Sequence, residues 1–264
     1  MKRLGQFVIV ITVGLILQAH EFWLEPMKFK IKPGEELAVN FLVGENFTGQ
    51  SWDLSKHRVE KMLLFGMGPS QDLLTRVPTA KGAKLKLVLN NPGTKVLAMT
   101  SNAGSIELDA EKFNAYLKED GLDDVHDWRV KNGQENLGAK ESYTRYSKLI
   151  VQVGDAIDDT WKKIVGHRLE ISPNQNPAQL KAGDYMECKV NYEGKAVPHI
   201  QVKVWGHVGN KIFLQNIFSE NDGTVKFPIS ASGPWMVSTV KMEKSKKPEA
   251  DWESSWASLV FNIE

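Results

Sequence analysis

A hydrophobic period of two, cut at short intervals by turn residues, constrains this chain more than any other feature. In "YMECKVNY" (Tyr185–Tyr192), Met186, Cys188, Val190 and Tyr192 alternate with Glu187, Lys189 and Asn191. Alternation of this kind puts every second side chain on one face of a strand. Similar segments over 200–205, 212–218, 224–229, 235–240 and 256–263 predict further strands. Turns are marked by Glu193-Gly194, Gly209-Asn210, Asn221-Asp222-Gly223 and Ser232-Gly233-Pro234. Glycine reaches positive φ freely and proline presets its own, so these dipeptides reverse the chain. Short strands spaced this regularly predict an antiparallel sandwich.

The first half follows the same logic until residue 109. Strands are predicted over 27–31, 36–44, 59–65, 84–89 and 95–100, with turns at Lys32-Pro33-Gly34-Glu35 and at Asn90-Asn91-Pro92-Gly93. "GENFTG" and "LFGMGPS" read as turns, because neither joins a strand to a helix as a nucleotide loop does. After "SIELD", which ends at Asp109, the period changes to that of a helix. Asp109 suits an N-cap, Glu111 suits the positive end of the helix dipole, and Phe113, Tyr116 and Leu117 fall on one face. Gly121 closes this helix, which is expected to dock on the first sandwich. A second short helix includes Val125 and Trp128, and "ESYTRYSKLIVQV" (141–153) is expected to start as helix. The proline- and asparagine-rich "SPNQNPAQLKAGD" (172–184) marks a domain boundary. The predicted fold is therefore mainly β, with two antiparallel β-sandwich-like domains. The first spans 20–171 with a helical insert at about 109–150. The second spans 172–264 and is immunoglobulin- or prealbumin-like.

The N-terminal segment carries a separate signal. Lys2 and Arg3 precede an uncharged run over 7–17, and Ala19 ends the segment. The run is shorter than the ~20 residues a membrane-spanning helix needs. A basic start, a short apolar core and a small final residue make a secretory signal peptide. Residues 1–19 are thus expected to be removed, leaving a periplasmic or secreted chain that begins at His20. Composition fits an ordinary globular protein, with 42% hydrophobic and 25% charged residues. A net charge of +1 gives no pull toward nucleic acid. Cys188 is the only cysteine, so no intrachain disulfide can form. Its inward position on a strand predicts an inert, buried thiol.

His20 is the residue with the clearest chemistry. A histidine at a free N-terminus offers the α-amine and imidazole Nδ1, which close a six-membered ring around a metal. Nitrogen donors of this kind suit nickel, cobalt or copper. Glu21, His57 and His167 are the candidate additional ligands, taken from a histidine set that also includes His126, His199 and His207. No HExxH, CxxC or phosphate loop is present. The acidic runs at 120–124 and 154–159 lack the alternating oxygen pattern of a calcium loop. No catalytic Ser, His and Asp order is legible, so the chain is not expected to be an enzyme. A histidine-brace copper oxidase is the enzymatic alternative. The non-metal alternative is an extracellular sandwich binding a protein or glycan through Trp23, Trp52, Trp205 and Trp235.

Several blocks together carry a family resemblance. They are "AHEFWLEP" (19–26), "ELDAEKFNAYLKEDGL" (107–122), "ESYTRYSKLI" (141–150), "VGHRLEISP" (165–173), "NDGTVKF" (221–227) and "DWESSWASLVF" (251–261). With these the chain resembles a bacterial exported domain-of-unknown-function family grouped with periplasmic components of nickel and cobalt uptake systems. The resemblance implies a histidine first in the mature chain, matched by His20, and a membrane uptake system as partner. In the closing block, Trp252 and Trp256 are expected to anchor the last strand by packing.

Overall fold

The computed structural model describes residues 20–209 and 211–264. The expected signal peptide lies outside the described residues. In chain order the elements are β1 (Glu21–Pro26), β2 (Lys30–Ile31), β3 (Glu36–Glu45), β4 (Thr48–Ser51), β5 (Val59–Phe65), β6 (Gln71–Asp72), β7 (Leu85–Val88), β8 (Gly93–Ser101) and β9 (Gly104–Leu108). Helices α1 (Ala110–Glu119) and α2 (Asp123–Lys131) follow, then β10 (Ala139–Val153), β11 (Leu169–Pro173), β12 (Tyr185–Tyr192) and β13 (Lys195–Ala196). The chain continues with β14 (Gln201–Val208), β15 (Lys211–Phe218), β16 (Thr224–Pro228), β17 (Gly233–Lys244) and β18 (Trp252–Ile263). The fold is mainly β, with sandwich-like layers and two short helices.

A ten-stranded sheet forms the middle layer, in the order β15-β14-β17-β18-β10-β8-β5-β6, with β2 and β9 also on β10. Its centre is a parallel pair: Glu141–Leu149 of β10 run beside Trp252–Val260 of β18. Both faces are covered. Leu97, Met99, Leu149, Val151, Trp205, Met236 and Val260 face one core, beneath the sheet of β1, β3, β4 and β7. Val96, Ala98, Ile150, Val202, Val204, Val237, Leu259 and Phe261 face the other, beneath β11, β12, β13 and β16. Neighbouring residues of one strand thus enter different cores, as the two-residue pleat requires. The two sandwiches share this middle sheet, and the boundary expected at 172 falls inside β11.

The segment 141–153 is strand throughout, not a helix start. Its first residues, Glu141 to Lys148, are mostly polar and are held as strand by pairing with β9 on one edge and β18 on the other, partners outside the segment itself. The helical insert is shorter than expected and ends with α2 at Lys131. Asp109 caps α1 by accepting from the Lys112 amide at 2.9 Å. Phe113, Tyr116 and Leu117 are buried as the period predicts. They share a core with Leu108 of β9 and Ala139 of β10, and also with Val240, Met242, Trp252 and Trp256 of β17 and β18. Cys188 is fully buried, and burial pushes its thiol up to about 12. Among the described residues, no helix is long and apolar enough to cross a membrane.

Candidate metal site

The candidate site is built by a tight hairpin. Between β3 and β4 the chain reverses at Asn46-Phe47, whose φ values are 52° and 51°. Two successive positive φ angles are the mark of a type I′ turn. Asparagine tolerates this region, whereas phenylalanine is strained there. The strain at Phe47 is offset by burial of its ring, edge-on to Trp23 at 5.6 Å and to His207 at 5.0 Å. Gly49 leaves room for that indole: a Cβ there would stand 2.6 Å from the Trp23 ring. The turn fixes Glu45 as the last residue of β3.

Strand pairing then sets what Glu45 faces. Glu21 pairs with Gly44 and Pro26 with Val39, so paired numbers add to 65 and His20 comes opposite Glu45. Imidazole Nδ1 of His20 lies 3.1 Å from Glu45 Oε1. That nitrogen is buried, with the Glu45 carboxylate as its near neighbour. The two side chains as a whole stay reachable, at 27% and 41% exposure. First-row metals bind such nitrogen and oxygen donors at ~2.0–2.2 Å, so two donors at right angles on one ion lie ~3 Å apart. The observed spacing fits that separation. Processing after Ala19 would add the α-amine as a third donor.

A buried polar seam holds the strand that carries His20. Arg145 Nη1 donates to the His20 carbonyl at 2.7 Å, and its guanidinium lies over the rings of Phe22 and Tyr143. Next along β1, Glu21 Oε1 is 3.3 Å from Lys203 Nζ, which also binds Asp120 Oδ1 at 2.7 Å. Burial, only partly offset by Lys203, pushes the Asp120 carboxyl up to about 7. Burial by itself would lower the Lys203 ammonium, but Glu21 and Asp120 outweigh it and hold the group above the ordinary lysine range. Farther in, Glu141 accepts from Ser254 and from Tyr116, and burial raises its pKa. The seam therefore ties β1 to β10, β14 and the end of α1.

The other expected ligands lie elsewhere. Glu21 is committed to Lys203 because alternation turns it away from His20. His57 stacks flat on Trp52 at 5.0 Å, and Trp52 in turn meets Phe22 edge-on at 4.9 Å. Burial, then the charge of Arg145, lowers its pKa. His167 packs by Tyr146, on the opposite face of β10 from Arg145. Burial pushes its imidazole down to about 4, against the pull of Glu170. Among the described residues, no three His, Cys, Asp or Glu side chains group closely enough to hold a metal. The four tryptophans of the alternative binding platform are core residues, none more than 5% exposed. Glu45 was absent from the sequence candidates. A plain hairpin centred on Pro33-Gly34 would pair 20 with 47; the observed register is two residues different, because Lys30 and Ile31 leave β3 to pair with β10.

A family match covers most of this architecture. Residues 17–243 match the family described as Domain of unknown function (DUF4198). The chain belongs to that family. The matched span contains His20, Glu45 and the whole seam except its β18 residues, and it ends before the last strand. No curated protein matches the chain. One solved structure, described as the tetra-tandem repeat in the extending region of a large adhesion protein, is 9% identical over 93% of this chain. The chain spans 50% of that structure's length, with a TM-score of 0.21, a likeness too low to inform the fold.

Proposed function

We propose that this DUF4198 protein is exported and binds a transition metal at its processed N-terminus, delivering nickel or cobalt to a membrane uptake system. The observation that carries the reading is the buried Nδ1 of His20 held 3.1 Å from the Glu45 carboxylate, a nitrogen and an oxygen donor at the spacing that one metal ion would bridge. The nitrogen-rich donor set of amine and imidazole, with one carboxylate, suits nickel, cobalt and copper. The half-exposed position suits a cargo that must leave again. Arg145 and the Glu21–Lys203–Asp120 cluster preorganise the strand beneath it.

Intact mass of the secreted protein tests the N-terminus, with His20 expected first. Calorimetry with Ni(II), Co(II) and Cu(II) tests the site. His20→Ala removes the imidazole, Glu45→Gln removes the carboxylate charge, and one glycine inserted before His20 displaces the amine. Each change is expected to weaken the preferred metal at least ~tenfold, or ~1.4 kcal/mol. Equal affinities in all four proteins would end the metal reading.

A further inference from the structure

At the opposite end of the first core lies a cleft of about 540 Å³ that the metal reading does not use. It opens between the loop after β5 and the loop joining β7 to β8. Its apolar wall includes Leu64, Met67 and Leu89, and its polar groups include the amides of Gln71, Asn90 and Asn91. Lys95 supplies the one charge among its lining residues, and none of them is Asp or Glu. The cleft has the size of a small-molecule pocket, and its exposed lining is more polar than apolar, with the apolar side chains forming one wall.

Lys95 is unusual for a lysine. Its side chain is on β8, on the same face as Leu97 and Met99, and only 6% of the residue is exposed. Nζ reaches only carbonyl oxygens of its own turn: Pro92 at 3.3 Å, Gly93 at 3.3 Å and Thr94 at 3.4 Å. All three contacts are long for a charged donor. The carboxylate whose field it feels, Asp158, is engaged by the Thr94 and Thr160 amides at 2.9 and 2.8 Å. Burial lowers the Lys95 pKa despite that field. Gly66 makes the placement possible, because a Cβ there would stand 3.2 Å from Lys95 Cδ and crowd the stem. A buried cation without a contact anion is stabilised by whatever anion enters.

We propose that this cleft binds small organic acids, with the Lys95 ammonium holding the carboxylate, the neighbouring amides its free oxygen, and the apolar wall the ligand body. One positive charge matches one carboxylate. A doubly charged phosphate would leave a charge unpaired in a half-buried site, and an amine would be repelled. Carboxylate binding also draws a proton to Lys95, since the anion favours the charged form.

The test is a titration of the full secreted protein with hexanoate and benzoate, followed by NMR, with hexanol, hexylamine and inorganic phosphate as comparison probes. Both acids are expected to bind saturably at millimolar levels, and each comparison probe at least ~tenfold more weakly. Lys95→Gln is expected to lose that preference for acid over alcohol, and Gly66→Ala to reduce it. With the lysines carrying ¹³C-methyl labels, the Lys95 pKa is expected to rise on adding hexanoate. Equal binding of hexanol and hexanoate, or an unmoved Lys95 pKa, overturns the proposal even if Lys95→Gln fails to fold. Metal binding at His20 is untouched by either result, so the two readings fail separately.

Discussion

Asp120 and His167 make opposite demands on the fold as pH changes. Asp120 has a folded pKa of about 7, above the ordinary carboxylate value of 3.8, so the folded state holds its proton more tightly. Its contribution to stability is full below the ordinary value and is lost as pH rises toward 7. His167 has a folded pKa of about 4, below the ordinary 6.5, so the unfolded chain takes the proton first. Its contribution is full above 6.5 and is lost as pH falls toward 4. Between these limits the two slopes oppose each other. Asp120→Asn is therefore expected to leave a protein that gains stability from pH 4.5 to 6.5, and His167→Gln one that loses it, as ~1.4 kcal/mol per pKa unit makes readily visible. Melting temperatures at the two pH values check this, and parallel profiles in the two variants would refute it. The residue scale is also where the sequence was least legible. His20 stood out by its chemistry, but Glu21 was taken as a ligand for its nearness in the chain and Glu45 was not considered. Cross-strand partners are set by register, which nearness does not report.

At the scale of elements, α1 was readable because its signals are local. Asp109, the Phe113-Tyr116-Leu117 face and Gly121 are a cap, an apolar stripe and a stop, and each acts within one or two turns. Phe113 is fully buried, with the Arg129 guanidinium 4.8 Å over its ring and Tyr116 edge-on at 5.8 Å. Phe113→Ala is expected to cost ~3–5 kcal/mol. At ~2–4 °C per kcal/mol for a chain of this size, the melting temperature should drop clearly in a thermal scan. An unchanged value would mean that α1 does not depend on this contact. The surface that α1 chose was not local. It docks on β17 and β18, more than a hundred residues later, through Val240, Met242, Trp252 and Trp256. The misread strand β10 teaches the same point from the other side. Its polar start, Glu141 to Lys148, is strand because β9 and β18 pair with it, and those partners are not written in the segment.

At the scale of the molecule, the ten-stranded sheet is the organising unit. The second core mixes Val96, Ala98 and Ile150 from the first half with Val190, Val237 and Phe261 from the second. The pairing of β10 with β18 joins the halves again over nine residues, Glu141–Leu149 with Trp252–Val260. Separate expression of 20–171 and 172–264 is expected to give two fragments without cooperative unfolding, while the intact chain melts in one transition. Each fragment would expose an apolar sheet face and an open edge, which hydrophobic burial cannot then stabilise. A sharp, reversible melt of 172–264 alone would show that the shared sheet is dispensable.

What the sequence alone determined was everything with a short reach. The strand-and-turn rhythm, the cap and stripe of α1 and the inward Cys188 each depend on residues close together in the chain. Tertiary structure alone decided which strands became neighbours. It turned Glu21 toward Lys203, brought Glu45 against His20, buried the four tryptophans and set Lys95 in an otherwise uncharged cleft. The physical reason is that a pleated strand offers two faces and two edges of similar chemistry, and only the closing of the whole sheet selects among them.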